Sequence, residues 1–279
     1  MMILAEGLAF AEGPRWHEGA LYWSDMHGYI VQRLAEGSVE TVCTVPNRPS
    51  GLGWMPDGRM LIVSMSDKRV LRLETDGSLV THGDLSALAP RRCNDMVVDA
   101  KGRAYVGNFG FEIGTDGETE EPRATTLIRV DPDGSAQAVA DDLLFPNGAV
   151  ITPDGCTLIV AETWRGCLTA FDIDQAGDLS NRRLWAKLPK GAVPDGICLD
   201  AEGAVWAASP TTSECLRIAE SGEVLSRVTT PQKAFACALG GARGCTLYVC
   251  IADSHDPLRQ CAERNGKIVA FDVSVAAAQ

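Results

Sequence analysis

The stretch Asn147-Gly148-Ala149-Val150-Ile151-Thr152-Pro153-Asp154-Gly155 contains a pattern that recurs along the whole chain. It consists of a polar residue, usually followed by glycine, then a short apolar run and a turn that ends in glycine. Five further copies begin at Glu12, Ser50, Asn94, Asp195 and, in a weaker form, Ala236. The turn glycine follows the leading residue by eight positions in five copies and by seven in the first. This nearly constant spacing indicates a structural repeat.

The spacing and strand content of the repeats predict a β-propeller. Successive copies start 38 to 53 residues apart, near the period of about 40 to 50 residues that is typical of propeller blades. Each copy contains a short run rich in β-branched and aromatic residues after the turn that ends in glycine. Residues 60–63 and 157–160, for example, each follow a Pro-Asp-Gly turn. No segment has the pattern of a long amphipathic helix. We therefore predict an all-β, six-bladed β-propeller with three to four strands in each blade.

The two ends of the sequence predict how the ring closes. The last repeat ends near Val275 after its third strand, and the segment 3–10 precedes the first repeat without belonging to it. We predict that this N-terminal segment forms a strand that completes the sixth blade. Because the repeats fill almost everything between residues 12 and 275, we expect a single domain over residues 1–279.

Composition and charge exclude several classes of function. Hydrophobic residues make up 46% of the chain, but no run of about 18 apolar residues could cross a membrane. The N-terminal segment lacks the basic start and apolar stretch of a secretory signal, so we expect a cytoplasmic protein. The formal net charge of −12 argues against binding to nucleic acid or anionic membranes, which need basic patches. Both a monomer and a dimer are compatible with the sequence.

The cysteines predict reduced core thiols. All ten lack the spacing of a CxxC pair or of a Cys/His metal site, and several lie inside predicted strands. Small apolar packing is the usual role of such residues in a cytoplasmic protein.

The leading residues of the repeats predict a metal site. In a propeller the innermost strand of each blade begins at one mouth of the central channel, so equivalent residues form a ring. Ordinary turn chemistry also explains a single Asx-Gly pair at the head of a strand. Four oxygen donors with two negative charges at one repeat position instead favour a hard divalent cation. We predict one cation, Ca²⁺ first, with Zn²⁺, Mn²⁺ or Mg²⁺ as alternatives, at Glu12, Asn94, Asn147 and Asp195.

Several phrases of the chain resemble the SMP-30/gluconolactonase family, also called regucalcin-like. They span essentially the whole chain: Ala11-Glu12-Gly13-Pro14-Arg15-Trp16, Arg92-Cys93-Asn94-Asp95, Pro146-Asn147-Gly148, Ala161-Glu162-Thr163 and Pro194-Asp195-Gly196-Ile197. The resemblance implies six blades and a metal bound by a Glu, one or two Asn and an Asp. At the matching positions these ligands are Glu12, Asn147 and Asp195. The resemblance implies that Asn94 is a fourth ligand or a substrate contact.

The same resemblance implies further substrate contacts. Arg92 matches a substrate-binding arginine of the family, and Asn108 and Glu112 follow a strand where the family has polar contacts. The phrase Gly107-Asn108-Phe109-Gly110 departs from the Gly-Thr-Met that is common in members acting on sugar lactones, which puts sugar specificity in question. The acidic segment 111–124 could form a lid or a solvated loop. Trp164 could form an apolar wall for the substrate or, more commonly for such a residue, pack between blades.

These residues predict a metal-dependent lactonase. The cation would polarise the lactone carbonyl, and Asp195 would act as general base for the attacking water. The resemblance implies a sugar lactone, such as an aldonolactone, as the default small-molecule substrate. Two alternatives remain open: an organophosphatase or arylesterase with the same metal site, and a non-catalytic calcium-binding propeller. A serine hydrolase is disfavoured because the chain has no Gly-x-Ser-x-Gly motif.

Overall fold

The computed structural model describes residues 1–114 and 119–278, in which the strands form six four-stranded antiparallel sheets. The first strand is β1 (Met2–Leu8). Blade 1 contains β2 (Ala11–His17), β3 (Ala20–Asp25), β4 (Ile30–Ala35) and β5 (Ser38–Thr44). Blade 2 contains β6 (Pro49–Trp54), β7 (Met60–Ser64), β8 (Arg69–Leu73) and β9 (Leu79–Asp84). Blade 3 contains β10 (Cys93–Val98), β11 (Ala104–Asn108), β12 (Thr125–Val130) and β13 (Ala136–Leu143).

The second half of the ring repeats this order. Blade 4 contains β14 (Pro146–Ile151), β15 (Thr157–Glu162), β16 (Cys167–Ile173) and β17 (Leu179–Lys187). Blade 5 contains β18 (Ile197–Leu199), β19 (Val205–Ser209), β20 (Glu214–Ile218) and β21 (Val224–Thr229). Blade 6 contains β22 (Lys233–Gly240), β23 (Thr246–Ala252) and β24 (Gly266–Asp272), with helix α1 (Pro257–Glu263) between the last two. The predicted six-bladed propeller is confirmed.

The N-terminal strand closes the ring as predicted. Strand β1 pairs with β24, so that Met2 lies opposite Ala270 and Leu8 lies opposite Gly266. It is the outermost strand of the last blade, in the order β1-β24-β23-β22. Ala5 and Leu8 are buried in the apolar cluster of that blade. Backbone hydrogen bonds and apolar packing therefore join the first strand of the chain to the last.

Close packing around the channel explains the glycine of the repeat. A Cβ atom at Gly51 would clash with the backbone nitrogen of Met96 in the next blade. A Cβ atom at Gly148 would likewise lie 2.8 Å from the carbonyl oxygen of Asp195. Only glycine allows two innermost strands to approach this closely. The glycine that follows the leading residue therefore serves the fold, which leaves the leading residue itself available for other roles.

The foot of the propeller, opposite the heads of the innermost strands, contains a second link between blades. The C-terminal segment crosses from blade 6 to blade 5, where Ala201 donates its backbone N–H to Ala276 (2.8 Å). Ala278 donates its N–H to the carbonyl oxygen of Leu199 (3.1 Å). Within the described residues every cysteine is a free thiol, and none of the helices is long and apolar enough to span a membrane.

Candidate metal centre at the channel mouth

The structure places the leading residues of the repeats at the heads of the innermost strands. Glu12, Asn94 and Asn147 are each the second residue of their strand, and Asp195 lies two residues before β18. All blades have the same strand order, so these heads meet at one mouth of the channel. Asn147 donates a hydrogen bond from Nδ2 to Oδ1 of Asp195, which joins blades 4 and 5 there.

A β-bulge at the head of the innermost strand sets the direction of the leading side chains. In blade 1 the pairing register shifts between Glu12 and Arg15, and in blade 4 it shifts between Pro146 and Ala149. Blades 2, 3 and 6 have a shift at the corresponding position. Bulges leave residues out of the ladder and redirect their side chains, often beside functional sites. Their repetition presents the leading residues to the channel.

The polar atoms of this ring have few protein partners. Asn94 is 6% exposed, yet its side chain makes no hydrogen bond to any described residue. Oδ2 of Asp195 accepts no hydrogen bond from the described residues. Among these residues, the Glu12 carboxylate accepts one only from the N–H of its neighbour Gly13 (3.3 Å). Buried polar atoms usually find partners inside the protein. These atoms are therefore suited to a ligand at the mouth.

Burial and like charge raise the pKa values of the two ring carboxyl groups. Desolvation raises the pKa of Glu12 well above its usual value, and the charges of Asp195 and Asp95 raise it further. The pKa of Asp195 rises to about 8, mainly through burial, although the hydrogen bond from Asn147 opposes the shift. Two carboxylates that repel each other in a desolvated site are stabilised by a divalent cation.

The donor set fits a hard cation only when the amides are included. The described residues contain no cluster of three or more His, Cys, Asp or Glu side chains at metal-binding separation. Two carboxylates and the Oδ1 atoms of two asparagines make an all-oxygen set of the kind that Ca²⁺ and Mg²⁺ bind. Oδ1 of Asn147 accepts no hydrogen bond from the described residues, so it is available as a ligand.

An ion pair crosses the channel beside this ring and was not predicted from the sequence. Nη2 of Arg15 donates to Oδ1 of Asp95 (2.8 Å) and to the carbonyl oxygen of Met96 (2.6 Å). Burial raises the pKa of Asp95, and Arg15 opposes that shift. The pair joins blades 1 and 3. Arg15 and Asp95 both belong to the sequence motifs that resemble the family, and this resemblance is the one feature of the sequence that indicated them.

Two of the predicted substrate contacts lie together near Asn94. Nη2 of Arg92 donates to Oε1 of Glu112 and to the carbonyl oxygen of Ile113 (3.0 Å). The Arg92 guanidinium also lies 5.4 Å from the centre of the Phe109 ring. Its Nε atom is buried and has no partner among the described residues. Arg92 and Glu112 therefore form one polar unit on blade 3.

The side chain of Asn108 points into its own blade. It is fully buried and donates Nδ2 to the carbonyl oxygen of Thr126 (2.8 Å). Its Oδ1 accepts from the hydroxyl of Thr125 (2.6 Å) and from the N–H of Gly110 (3.2 Å). These bonds fix the loop after β11, and they leave no side-chain atom facing the channel. The structure therefore shows Asn108 bonded within its own blade, and a direct contact with substrate stays a prediction.

The acidic segment after β11 is described only in part. Glu120 forms an ion pair with Arg91 (2.7 Å) and accepts a hydrogen bond from the N–H of Glu112 (2.8 Å). These contacts hold the described part of the segment beside Arg92. Asp116 and Glu118, which belong to the predicted lid, lie outside the described residues.

Four aromatic residues pack together where the loops of blades 3 and 4 meet beside the mouth. The ring of Phe109 stacks on that of Phe145 (4.6 Å between centroids), and Phe111 packs edge-on against Trp164 (5.5 Å). Trp164 is 48% exposed, so it packs between blades and also presents an apolar surface. Its neighbour Thr163 accepts a hydrogen bond from Nδ2 of Asn147 (3.2 Å).

Known proteins resemble this chain over most of its length. A family model described as the SMP-30/Gluconolactonase/LRE-like region matches residues 10–253. 6-Deoxy-6-sulfogluconolactonase from Pseudomonas putida is 28% identical over 88% of this chain and 84% of its own. Regucalcin from Bos taurus is 33% identical over 91% of this chain and 87% of its own. The solved structure of XC5397, a gluconolactonase from Xanthomonas campestris, has 26% identity and a TM-score of 0.77, and the match covers 96% of this chain and 89% of that one.

Proposed function

Because the chain belongs to the SMP-30/gluconolactonase/LRE-like family, we propose that it is a lactonase that needs one divalent cation. The observation that carries this proposal is the ring of oxygen donors at the mouth. Asn94, Asn147 and Asp195 are buried and Glu12 is half-buried, and their side-chain oxygens have almost no partners among the described residues. The names of its relatives support a lactone substrate, with a sugar lactone as the default. The all-oxygen donor set makes Ca²⁺ the first candidate, with Mg²⁺, Mn²⁺ and Zn²⁺ as alternatives.

The cation would be held by Glu12, Asn147 and Asp195, with Asn94 as fourth ligand or as a substrate contact. When bound, it supplies Lewis-acid polarisation of the lactone carbonyl. Glu12 and Asp195 together neutralise its charge, which favours a divalent ion over a monovalent one. The Arg15–Asp95 pair is neutral overall and keeps the innermost strands of blades 1 and 3 in position.

Asp195 is the residue that we assign to proton transfer. Its Oδ2 atom accepts no hydrogen bond from the described residues, and the bond from Asn147 to Oδ1 orients the carboxylate. Asp195 would remove a proton from a water molecule as the water oxygen attacks the carbonyl carbon. The ring C–O bond then breaks, and the proton passes to the leaving alkoxide. The products are a carboxylate and a hydroxyl group on one chain, with one proton released.

Hydrolysis assays with defined cations test this function. The protein is freed of metal with EDTA, and acid release from an aldonolactone and an aryl lactone is followed with a pH indicator. We expect hydrolysis above the spontaneous rate only after a divalent cation is restored. Glu12→Gln should weaken cation binding in calorimetry at least tenfold, whereas Glu6→Gln, on the exposed face of β1, should leave it unchanged.

Other outcomes of the same assays distinguish the alternatives. Hydrolysis of a phosphofluoridate but of neither lactone would identify an organophosphatase that uses the same donor set. A rise in melting temperature with Ca²⁺, without turnover of any of these compounds, would identify a non-catalytic calcium-binding propeller. Equal lactone hydrolysis with and without EDTA would overturn the cation requirement.

A further inference from the structure

We propose that the lactone substrate carries an apolar substituent, alkyl or aryl, that packs against an aromatic wall at the channel mouth. The wall consists of Phe109, Phe111, Phe145 and Trp164. This inference rests on the proposed lactonase function but replaces its default sugar substrate, because it favours an apolar lactone over a polyhydroxylated one.

The aromatic wall is continuous with the candidate metal centre. Strand pairing puts Asn108 opposite Cys93 and Glu162 opposite Pro146, so the loops that follow Asn108 and Glu162 begin at the mouth. Phe109 and Phe111 belong to the first of these loops, and Trp164 belongs to the second. The hydrogen bond between Asn147 and Thr163 (3.2 Å) ties the second loop to a predicted metal ligand. A substituent on a lactone held at the metal centre can therefore reach the wall.

The wall is rigid, and part of it faces solvent. Phe111 is fully buried and Phe145 is 6% exposed, so both form a packed base. Trp164 packs in a T-shaped arrangement against Phe111 and leaves 48% of its surface exposed. A buried base of this kind holds the indole in place, and covering its exposed part with an apolar group is favourable.

The polar side chains behind the wall have used their hydrogen-bonding groups within the blades. Both oxygens of Glu162 accept bonds, from the N–H of Leu144 (2.8 Å) and from Arg182 (3.1 Å), and this side chain is fully buried. Asn108 is buried and bonded in the same way. Sugar hydroxyls placed against the wall would lose bonds to water and gain few in return. Among the described residues, Arg92 and Glu112 also lie beside the wall on blade 3, and they pair with each other.

Matched substrates and variants test the proposal. The kcat/KM of the cation-loaded protein is measured for δ-gluconolactone and for a δ-lactone that carries an alkyl chain. We expect a preference of about tenfold or more for the alkyl lactone. Trp164→Ala should reduce kcat/KM for the alkyl lactone about tenfold and leave the value for gluconolactone within twofold. Trp164→Phe should restore most of the loss, and Leu184→Ala, at another exposed apolar residue of blade 4, should change neither value.

The outcomes separate this inference from the function on which it rests. Faster hydrolysis of gluconolactone than of the alkyl lactone would contradict the proposed binding of an apolar substituent at the wall and leave the lactonase proposal intact. An equal loss for both substrates in Trp164→Ala would also overturn it, because that result indicates a structural role for the indole. Hydrolysis of neither lactone, with any of the four cations, would instead contradict the proposed function itself.

Discussion

Asp195 and Asp200 lie at opposite ends of the short innermost strand of blade 5, and both are buried, at 8% and 1% exposure. At the foot of the strand, Asp200 accepts a hydrogen bond from Nε of Arg217 (2.6 Å) and two more from backbone N–H groups. At the head, Asp195 receives one bond from a neutral amide. A carboxylate with a full set of partners therefore lies only five positions along the chain from one that has almost none.

The difference shows that burial alone does not distinguish a carboxylate that stabilises the fold from one that marks a functional site. A buried carboxylate with a cation and several N–H donors contributes to a well-determined fold, whereas one without them is destabilising until a ligand arrives. Asp200 belongs to the first class and links two strands of its own blade. Asp195 belongs to the second class, as does Glu12. The second class is the more informative guide to a functional site.

The largest expected effect comes from Asp195→Asn. This change removes the proposed proton acceptor and half of the charge that would bind the cation, so kcat/KM for lactones should fall about 10³-fold. The metal-free variant should be at least as stable as the metal-free wild type, since a buried carboxyl group without a cation is lost. Lactone assays at saturating cation and urea unfolding in EDTA measure the two effects. Activity within tenfold of wild type would remove Asp195 from the mechanism.

The reverse pattern is expected for the matched variant Asp200→Asn. It retains the shape of the side chain but removes the buried one of the two carboxylates that pair with Arg217, whose side chain is 11% exposed, and leaves only the exposed Glu202. The free energy of unfolding should fall by about 3 kcal/mol, measured by urea denaturation. The kcat/KM of the folded fraction should stay within twofold of wild type. A large loss of activity in the folded variant would show that the two ends of β18 are coupled, and it would contradict the separation of roles between Asp195 and Asp200.

The smallest effect concerns His27, a buried basic group on the mouth side of blade 1. Its Nε2 lies 3.1 Å from the carbonyl oxygen of His255, its ring stacks on Phe10, and burial lowers its pKa to about 4. The folded protein therefore holds the His27 imidazole in its neutral form. The contribution of His27 to stability is complete above pH 6.5, the value in the unfolded chain, and is lost as the pH falls towards 4.

Comparison of the wild type with His27→Phe isolates this contribution. Between pH 7 and pH 4.5 the wild type should lose about 2 kcal/mol more unfolding free energy than the variant. Urea denaturation at each pH in EDTA gives both values, and the carboxyl groups contribute equally to the two proteins. Parallel curves would mean that the folded structure accepts the imidazolium without cost.

The repeat pattern predicted much of the fold, and the reasons are local. Blade period, turn glycines and strand composition are properties of short segments, so they predicted six blades, the closing strand and the positions of the ring residues at strand heads. The ligand roles of Glu12, Asn94, Asn147 and Asp195 remain predictions. The sequence did not predict contacts between distant segments. Arg15 meets Asp95, 80 residues away, and Asn108 turns inward because its Oδ1 accepts a hydrogen bond from the hydroxyl of Thr125 there.

The strand that closes the ring has a consequence for how the protein is made. Strand β1 is synthesised first, but its partner residue for Met2 is Ala270, 268 residues later. At about 5 to 20 residues per second, β1 waits roughly 10 to 50 s on the ribosome before that partner exists. During this time its backbone has no native partner strand, and Ala5 and Leu8 lack the side chains that blade 6 contributes to their apolar cluster. We expect ring closure to be the last and slowest step of folding, because pairing across so long a stretch of chain is entropically costly.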